Sequence, residues 1–288
     1  MHSRTRRTLA RIAPATSEAH VTARTRGAPE TIASLARDLR ALGVEPGATL
    51  LVHSSLSSLG WVCGAAAAVV LALERAVGPA GTIVMPAHTG LSDPAPWRNP
   101  PVPRSWWRTI RATMPAYDRD LTPTRGVGAI PETFRKQRGV VRRGHPEVSF
   151  TAWGRHARRV TRGHPLERSF GEGSPLSRIY DLGGHVLLLG VDHESDSSLH
   201  LAEHRADYPK RYARRGAPLI VAGRRRWVVY EDLHHDASDF ARAGAAFERA
   251  SDRVRVGRVG RATARLLPQR DLVDFAARWM SAHRTPRA

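Results

Sequence analysis

The chain has 288 residues, of which 41% are hydrophobic and 25% charged, a composition that excludes wholesale disorder and leaves ample length for a buried core. Its 45 Lys and Arg against 26 Asp and Glu give a formal net charge of +19, carried almost entirely by arginine because Lys136 and Lys210 are the only lysines. The single cysteine, Cys63, excludes an intrachain disulfide and a Cys-rich metal centre, and no apolar run approaches the ~18 residues of a membrane span.

Residues 1–28 carry Arg4, Arg6, Arg7, Arg11, Arg24 and Arg26 against Glu18 and lack the apolar centre of a secretory signal. An unstructured basic tail is expected there, with the folded domain over 29–288 in the cytoplasm. In ETIASLARDLRALGVEPG, Ile32, Leu35, Ala36, Leu39 and Leu42 recur at helical spacing and Gly43 is placed to stop the helix. ATLLVH, residues 48–53, then reads as a strand entering a loop of small hydroxyl residues, Ser54, Ser55, Ser57 and Ser58, before a helix over about 64–77. Backbone N–H groups and hydroxyls in such a loop can approach a phosphate closely. Cys63, beside the apolar run 65–73, is expected to be a buried structural thiol.

GTIVMP, residues 81–86, is the next strand, followed by a polar turn with Asp93. Prolines and tryptophans then alternate from Pro94 to Tyr117; Trp97, Trp106 and Trp107 predict an ordered insertion over the site, because tryptophan is costly to leave in water. In LTPTRGVGAIPETF, Thr124, Gly126, Val127 and Gly128 offer a hydroxyl and unhindered backbone ahead of a helix from about 129. Ser174 is suited to cap a helix that begins at Pro175, and the N–H groups at that start can also receive an anion.

Residues 186–190 have the length and makeup of a buried strand, and polar residues take over abruptly after it. Ligands bind at such carboxyl ends of strands in α/β sheets. Asp192, His193, Glu194 and Asp196 lie in the following loop, and a helix over 199–208 brings His200, Glu203 and His204 onto one face. Paired strands with a turn near Gly223 follow, then a helix, a basic connection and a last helix whose Leu272, Phe275, Ala276 and Trp279 face inward. Strands alternating with helices put the chain in the α/β class.

Several strings together, LLVHSSLSSLGWV, LTPTRGVGAIPETF, VVRRGHPEVSFTAWG and LLLGVDHESDSSLHLAEHRADYP, resemble the aminoglycoside 3-N-acetyltransferases, over roughly residues 39–236 in continuous order. The resemblance implies a single large domain in which a central mixed sheet is flanked by helices in three layers, with the Trp/Pro-rich segment inserted. It implies an enzyme that moves the acetyl group of acetyl-coenzyme A to the 3-amine of the 2-deoxystreptamine ring of an antibiotic, with no metal and no nucleic acid or membrane partner. It further implies that Ser54, Ser55, Ser57, Thr124, Gly126, Val127, Arg142, His145 and Ser149 lie along the coenzyme, with Ser174 added as an anion-receiving helix start. Asp93 would meet the amino sugar. The sequence departs from the family at Arg143, where a serine is usual, at Asp192 for a glycine, at Glu194 for an aspartate, and at Ser195 and Asp196, where asparagines are common.

The chemistry needs a base, since only a free amine attacks a thioester. His200 is suited to take that proton, with Glu231 expected to fix its tautomer in a triad whose nucleophile is the substrate. Residues 192–207 and 231–239 carry a formal net charge of minus eight within the cationic chain. That charge is expected to form an anionic pocket in which Asp192, Glu194, Asp196 and Glu203 hold a polyamine. Three other readings stand beside this one: a same-fold acetyltransferase acting on another biosynthetic amine, a nucleic-acid-binding module suggested by the net charge but without a recognised binding motif, and a zinc peptidase, since His200-Leu-Ala-Glu203-His204 matches H-x-x-E-H.

Overall fold

The computed structural model describes residues 21–284 apart from 24, 26 and 98–100, so residues 1–20 of the basic tail lie outside the described residues. A seven-stranded mixed sheet runs through the molecule in the order β3-β4-β2-β1-β5-β9-β8. Its strands are β1 (Thr49–Ser54), β2 (Thr82–Pro86), β3 (Val141–Arg143), β4 (Phe150–Gly154), β5 (His185–Leu189), β8 (Arg255–Val259) and β9 (Ala262–Pro268). β2, β1 and β5 are parallel, and the strands outside them pair antiparallel. A separate hairpin is formed by β6 (Tyr212–Val221) and β7 (Arg224–Leu233).

The three parallel strands are apolar at nearly every position because both of their faces are covered. Leu50, Val52, Ile83, Met85, Leu187 and Leu189 enter one core with α1 (Ile32–Leu42), α2 (Ala65–Val77) and α4 (Ala129–Arg135). Their alternates Leu51, Val84, Val186 and Leu188 enter a second core, since successive side chains of a strand point to opposite faces. That core includes α5 (Ala157–Thr161), α6 (Pro175–Asp181), α7 (Ser198–Arg205), α8 (Phe240–Ala250) and α9 (Gln269–His283). The three layers of the sequence reading are therefore present. Among the described residues no helix is long and apolar enough to cross a membrane.

Local signals explain the helix ends. Thr31 and Ser34 form a reciprocal capping box ahead of α1, and Ser174 caps α6 with Pro175 in its first turn. The Trp/Pro-rich segment contains α3 (Trp107–Thr113) where it is described, and Trp106, expected to be covered, is 57% exposed. The segment is tied to the β6–β7 hairpin: Arg225 donates to the carbonyls of Met114 and Arg111, and the Tyr117 N–H donates to Pro218.

Two further expectations are corrected. The basic connection near 252–268 is a hairpin, β8 and β9, that extends the sheet past β5. Arginines alternate with small and apolar residues there, which reads as a charged run in sequence but places Arg255 and Arg258 outward on an edge strand, a placement that discourages edge pairing. Cys63 is exposed rather than buried, because it precedes α2 in a short bridge beside Glu30 instead of joining the apolar helix.

Candidate active site

The carboxyl ends of β1, β2 and β5 open into a cavity of about 870 Å³ whose walls include His53, Ser54, His88, Val127, Glu194 and Ser197. A second cleft of about 550 Å³ shares Ser57, Gly60 and Val191 with it and carries Arg258, Arg261 and Arg265. Parallel strands leave their last residues at one edge of the sheet, so β1 delivers His53 and Ser54 to the same rim that receives the chain leaving β2 and β5.

α7 stands beside this rim. Its first turn is fixed by Asp196, whose Oδ1 accepts the Ser198 N–H at 2.8 Å, and by His53, whose Nε2 accepts the Ser197 N–H at 3.2 Å. Burial, with the neighbouring His200, lowers the His53 pKa to about 3, so its Nε2 is an unprotonated acceptor at neutral pH. Three residues apart on the helix, His200 and Glu203 meet at Nδ1···Oε2 2.8 Å. Glu203 is wholly buried, and its other oxygen accepts from Arg284 Nη1 at 2.6 Å, from the Asp236 N–H at 2.9 Å and from the Tyr208 hydroxyl at 3.4 Å. Burial opposes charge on Arg284, but hydrogen bonds to Asp239 and Glu203 overcome this and raise its pKa. The Arg284 guanidinium thus holds the Glu203 carboxyl group against His200 Nδ1. Nδ1 of the imidazole is engaged by Glu203, and Nε2 makes no hydrogen bond among the described residues. The ring is clamped by Phe170, stacked at 4.7 Å, and by Phe240, edge-on at 4.7 Å.

Glu231 does not occupy the orienting position. β7 alternates its side chains, so Tyr230 and Asp232 are buried while Glu231 lies exposed, opposite Arg214 on the hairpin. Asp232 turns inward and accepts the Ser169 hydroxyl. Glu203 lines neither of these two clefts; it borders a separate one of about 640 Å³ with Tyr208, Asp236 and Arg284, and both of its oxygens are engaged internally. The peptidase pattern also fails geometrically: His200 is held by Glu203, whereas His204 Nε2 turns to His235 Nε2 at 3.2 Å.

The acids expected to form an anionic pocket are in large part matched by arginines. Asp192 pairs with Arg265 at 2.8 Å, Asp239 with Arg284 at 2.6 Å, and Asp93 accepts both Nε and Nη2 of Arg111 at 2.8 and 2.9 Å. Asp196 is buried, and desolvation raises its pKa to about 6. Glu194 is exposed, lines the main cavity and has no ion pair among the described residues.

The residues expected along the coenzyme divide into two groups. Ser54, Ser55, Ser57, Gly126 and Val127 line the main cavity. Ser54 Oγ is buried without a partner, and a Cβ added at Gly126 would meet nothing within 4 Å. The remainder are committed elsewhere. Thr124 gives its hydroxyl to Glu132 at 2.7 Å ahead of α4. Arg142, 5% exposed, donates to the carbonyls of Ala87 and Thr122 and to Ser149 Oγ, which itself donates to Ala87. His145 Nδ1 accepts the N–H groups of Glu147 and Val148, and Ser174 Oγ accepts that of Ser177. Arg142, His145, Ser149 and Ser174 therefore tie the frame behind the cavity together, and Arg143 lies exposed on the edge strand β3.

His53 and His88, both on the cavity wall, were missed. The signal was present, since each stands where a parallel strand ends. Burial above all, with the neighbouring His53 and His200, lowers the His88 pKa to about 3. Arg284, which charges the whole arrangement, lies far from any motif, and only the fold brings it to Glu203.

The family model for aminoglycoside 3-N-acetyltransferases matches residues 51–281. An SPbeta prophage-derived aminoglycoside N(3')-acetyltransferase-like protein of Bacillus subtilis is 49% identical over 253 residues, 87% of this chain and 92% of that protein. A crystal structure of that organism's YokD protein superposes with a TM-score of 0.89 at 46% identity, over 91% of this chain and 97% of that one. The aminoglycoside N(3)-acetyltransferase VII of Streptomyces paromomycinus is 38% identical over 266 residues, 88% of this chain and 92% of that protein. AAC-IIIb, solved as a binary complex with CoASH, is 30% identical with a TM-score of 0.80, over 91% of this chain and 100% of that one. The chain belongs to the aminoglycoside 3-N-acetyltransferase family, the acetyl-coenzyme A-dependent enzymes that its sequence resembles.

Proposed function

We propose that this enzyme acetylates the 3-amine of a 2-deoxystreptamine antibiotic in the cytoplasm by direct transfer, with His200 as general base and Glu203 as its orienting carboxylate. The observation that carries the reading is the chain His200 Nδ1···Glu203 Oε2 at 2.8 Å and Glu203 Oε1···Arg284 Nη1 at 2.6 Å, which leaves Nε2 as the acceptor. The amine nitrogen, as free base, bonds to the thioester carbonyl carbon while Nε2 takes one of its protons. The tetrahedral adduct then expels the thiolate, which takes the proton back from the imidazolium. Glu203 stabilises that imidazolium, and base assistance of this kind is worth about 10² to 10⁴-fold in rate. Acetylation turns a cationic amine into a neutral amide, removing a charge from the antibiotic.

Acetyl-coenzyme A fits the two joined clefts. The Ser54 hydroxyl and the open backbone at Gly126 suit the polar pantetheine arm, Trp61 and Val62 suit its methyl groups, and Arg258 and Arg261 in the adjoining cleft suit the phosphates. A second reading, an amine other than an aminoglycoside, is favoured by the arginines that already occupy Asp93 and Asp192. Coenzyme A release across a panel of aminoglycosides and simple diamines decides between them. Turnover confined to deoxystreptamine compounds, with one product acetylated at the 3-amine, supports the first. Turnover of the diamines alone supports the second.

A further inference from the structure

We propose that His204, His235 and Asp232 form a binding site for Zn²⁺ whose occupation inhibits acetyl transfer. One nitrogen of each histidine and one oxygen of Asp232 lie within 4.8 Å of one another. The two Nε2 atoms are 3.2 Å apart, close to the roughly 3.3 Å that separates two nitrogens on a tetrahedral zinc with Zn–N bonds of about 2.0–2.1 Å.

The three groups come from the last turn of α7, the end of β7 and the loop that follows it. The His204 ring is seated against the backbone at Gly171, where an added Cβ would lie 2.7 Å from Nδ1. Asp232 is already oriented by the Ser169 hydroxyl and the Leu233 N–H, the kind of outer contact that aims a metal-binding carboxylate. Burial lowers the His204 pKa to about 4 and, with the neighbouring histidines, pushes that of His235 lower still, so both rings are neutral at pH 7. Neutral imidazoles and a carboxylate are the ligands that zinc selects. Without a metal, one Nε2 must donate its proton to the other; with one, both lone pairs are used.

The inhibitory part rests on the reading of His200 as base. The His235 ring lies 5.0 Å from that of His200, centroid to centroid. A divalent cation held there repels the positive charge that develops on the imidazole during transfer, which lowers turnover about tenfold.

Zinc is titrated calorimetrically into tag-free enzyme carrying Cys63→Ser, which removes the exposed thiol, and into the same protein with His204→Ala or His235→Asn. One zinc per chain, lost in both variants whose circular dichroism matches the parent, is the expected result. Visible absorption of the Co²⁺ form should show tetrahedral intensity that the variants lose. In turnover, the parent should lose about tenfold activity on saturation with zinc, while His204→Ala keeps the metal-free rate and ignores zinc. Undiminished stoichiometric binding in either variant, or none in the parent, overturns the site. Binding without inhibition in a parent whose His200→Ala variant is inactive overturns the coupling to the base. Calorimetry does not depend on turnover, so failure of the site and failure of the catalytic reading are distinguishable.

Discussion

Replacing Glu203 by Gln removes one charge from the group that holds His200 while keeping its size and an oxygen that can accept from Nδ1. The carboxylate is wholly buried and receives hydrogen bonds from His200 at 2.8 Å and Arg284 at 2.6 Å. Because Gln still accepts from Nδ1, what is lost is the charge on that bond, about 1–1.5 kcal/mol as the difference between a charged and a neutral hydrogen bond, and kcat should fall by roughly 5 to 13-fold. The effect falls on kcat rather than on KM, because Glu203 faces neither cleft and acts on a charge that exists only during transfer. Arg284 keeps its pair with Asp239 at 2.6 Å, which limits the cost to folding. Thioester absorbance is the suitable assay, since exposed Cys63 would consume a thiol reagent. Glu231→Gln, on the outer face of β7, should remain within twofold of wild type, as exposed substitutions generally do. Equal losses in the two variants, or a loss confined to Glu231→Gln, would refute the assignment.

Three further outcomes are expected. Ser54→Ala removes a buried hydroxyl that has no internal partner, so the melting temperature should hold while acetyl-coenzyme A affinity by calorimetry falls about 2 to 13-fold, one net hydrogen bond of roughly 0.5–1.5 kcal/mol; unchanged affinity would remove Ser54 from the coenzyme site. Combining Glu203→Gln with His200→Ala should cost little beyond His200→Ala alone, because residues acting as one unit are not additive; multiplicative losses would separate them. Stability should fall with acid. His53 is depressed from 6.5 to about 3 by burial, so the unfolded chain takes up its proton first and stability is lost as pH drops from 6.5 toward 3, by roughly 2 kcal/mol at pH 5 from this group. Asp196, raised to about 6, works in the opposite sense by favouring the fold when protonated. A melting temperature that stays flat from pH 7 to 5 would show that the histidines are not held neutral.

The parallel centre of the fold was legible because β1, β2 and β5 are apolar on both faces and end at polar loops, a pattern with few other readings. β8 and β9 were not, since Arg253, Arg255, Arg258, Arg261 and Arg265 read as a basic run and only Val259 of β8 is buried. Within the site, the position of His200 on the first α-helix after β5 was legible. Its partner was assigned to Glu231 instead of Glu203 because helix spacing marks the two residues as neighbours without saying which of them solvent reaches. Only packing shows that Glu203 is sealed beneath Arg284 and that the period of β7 turns Glu231 outward. The same limit explains Arg142 and Ser149: a guanidinium and a hydroxyl read alike whether they meet a ligand or the carbonyls of Ala87 and Thr122.

The central claim is that His200, held at Nδ1 by Glu203, removes the proton of the attacking amine through Nε2. Single-turnover acetylation by His200→Ala, with both substrates shown by calorimetry to bind as in wild type, tests it most directly. A transfer step slowed by about 10² to 10⁴-fold with unchanged affinities is the predicted result, and transfer at the wild-type rate would contradict it.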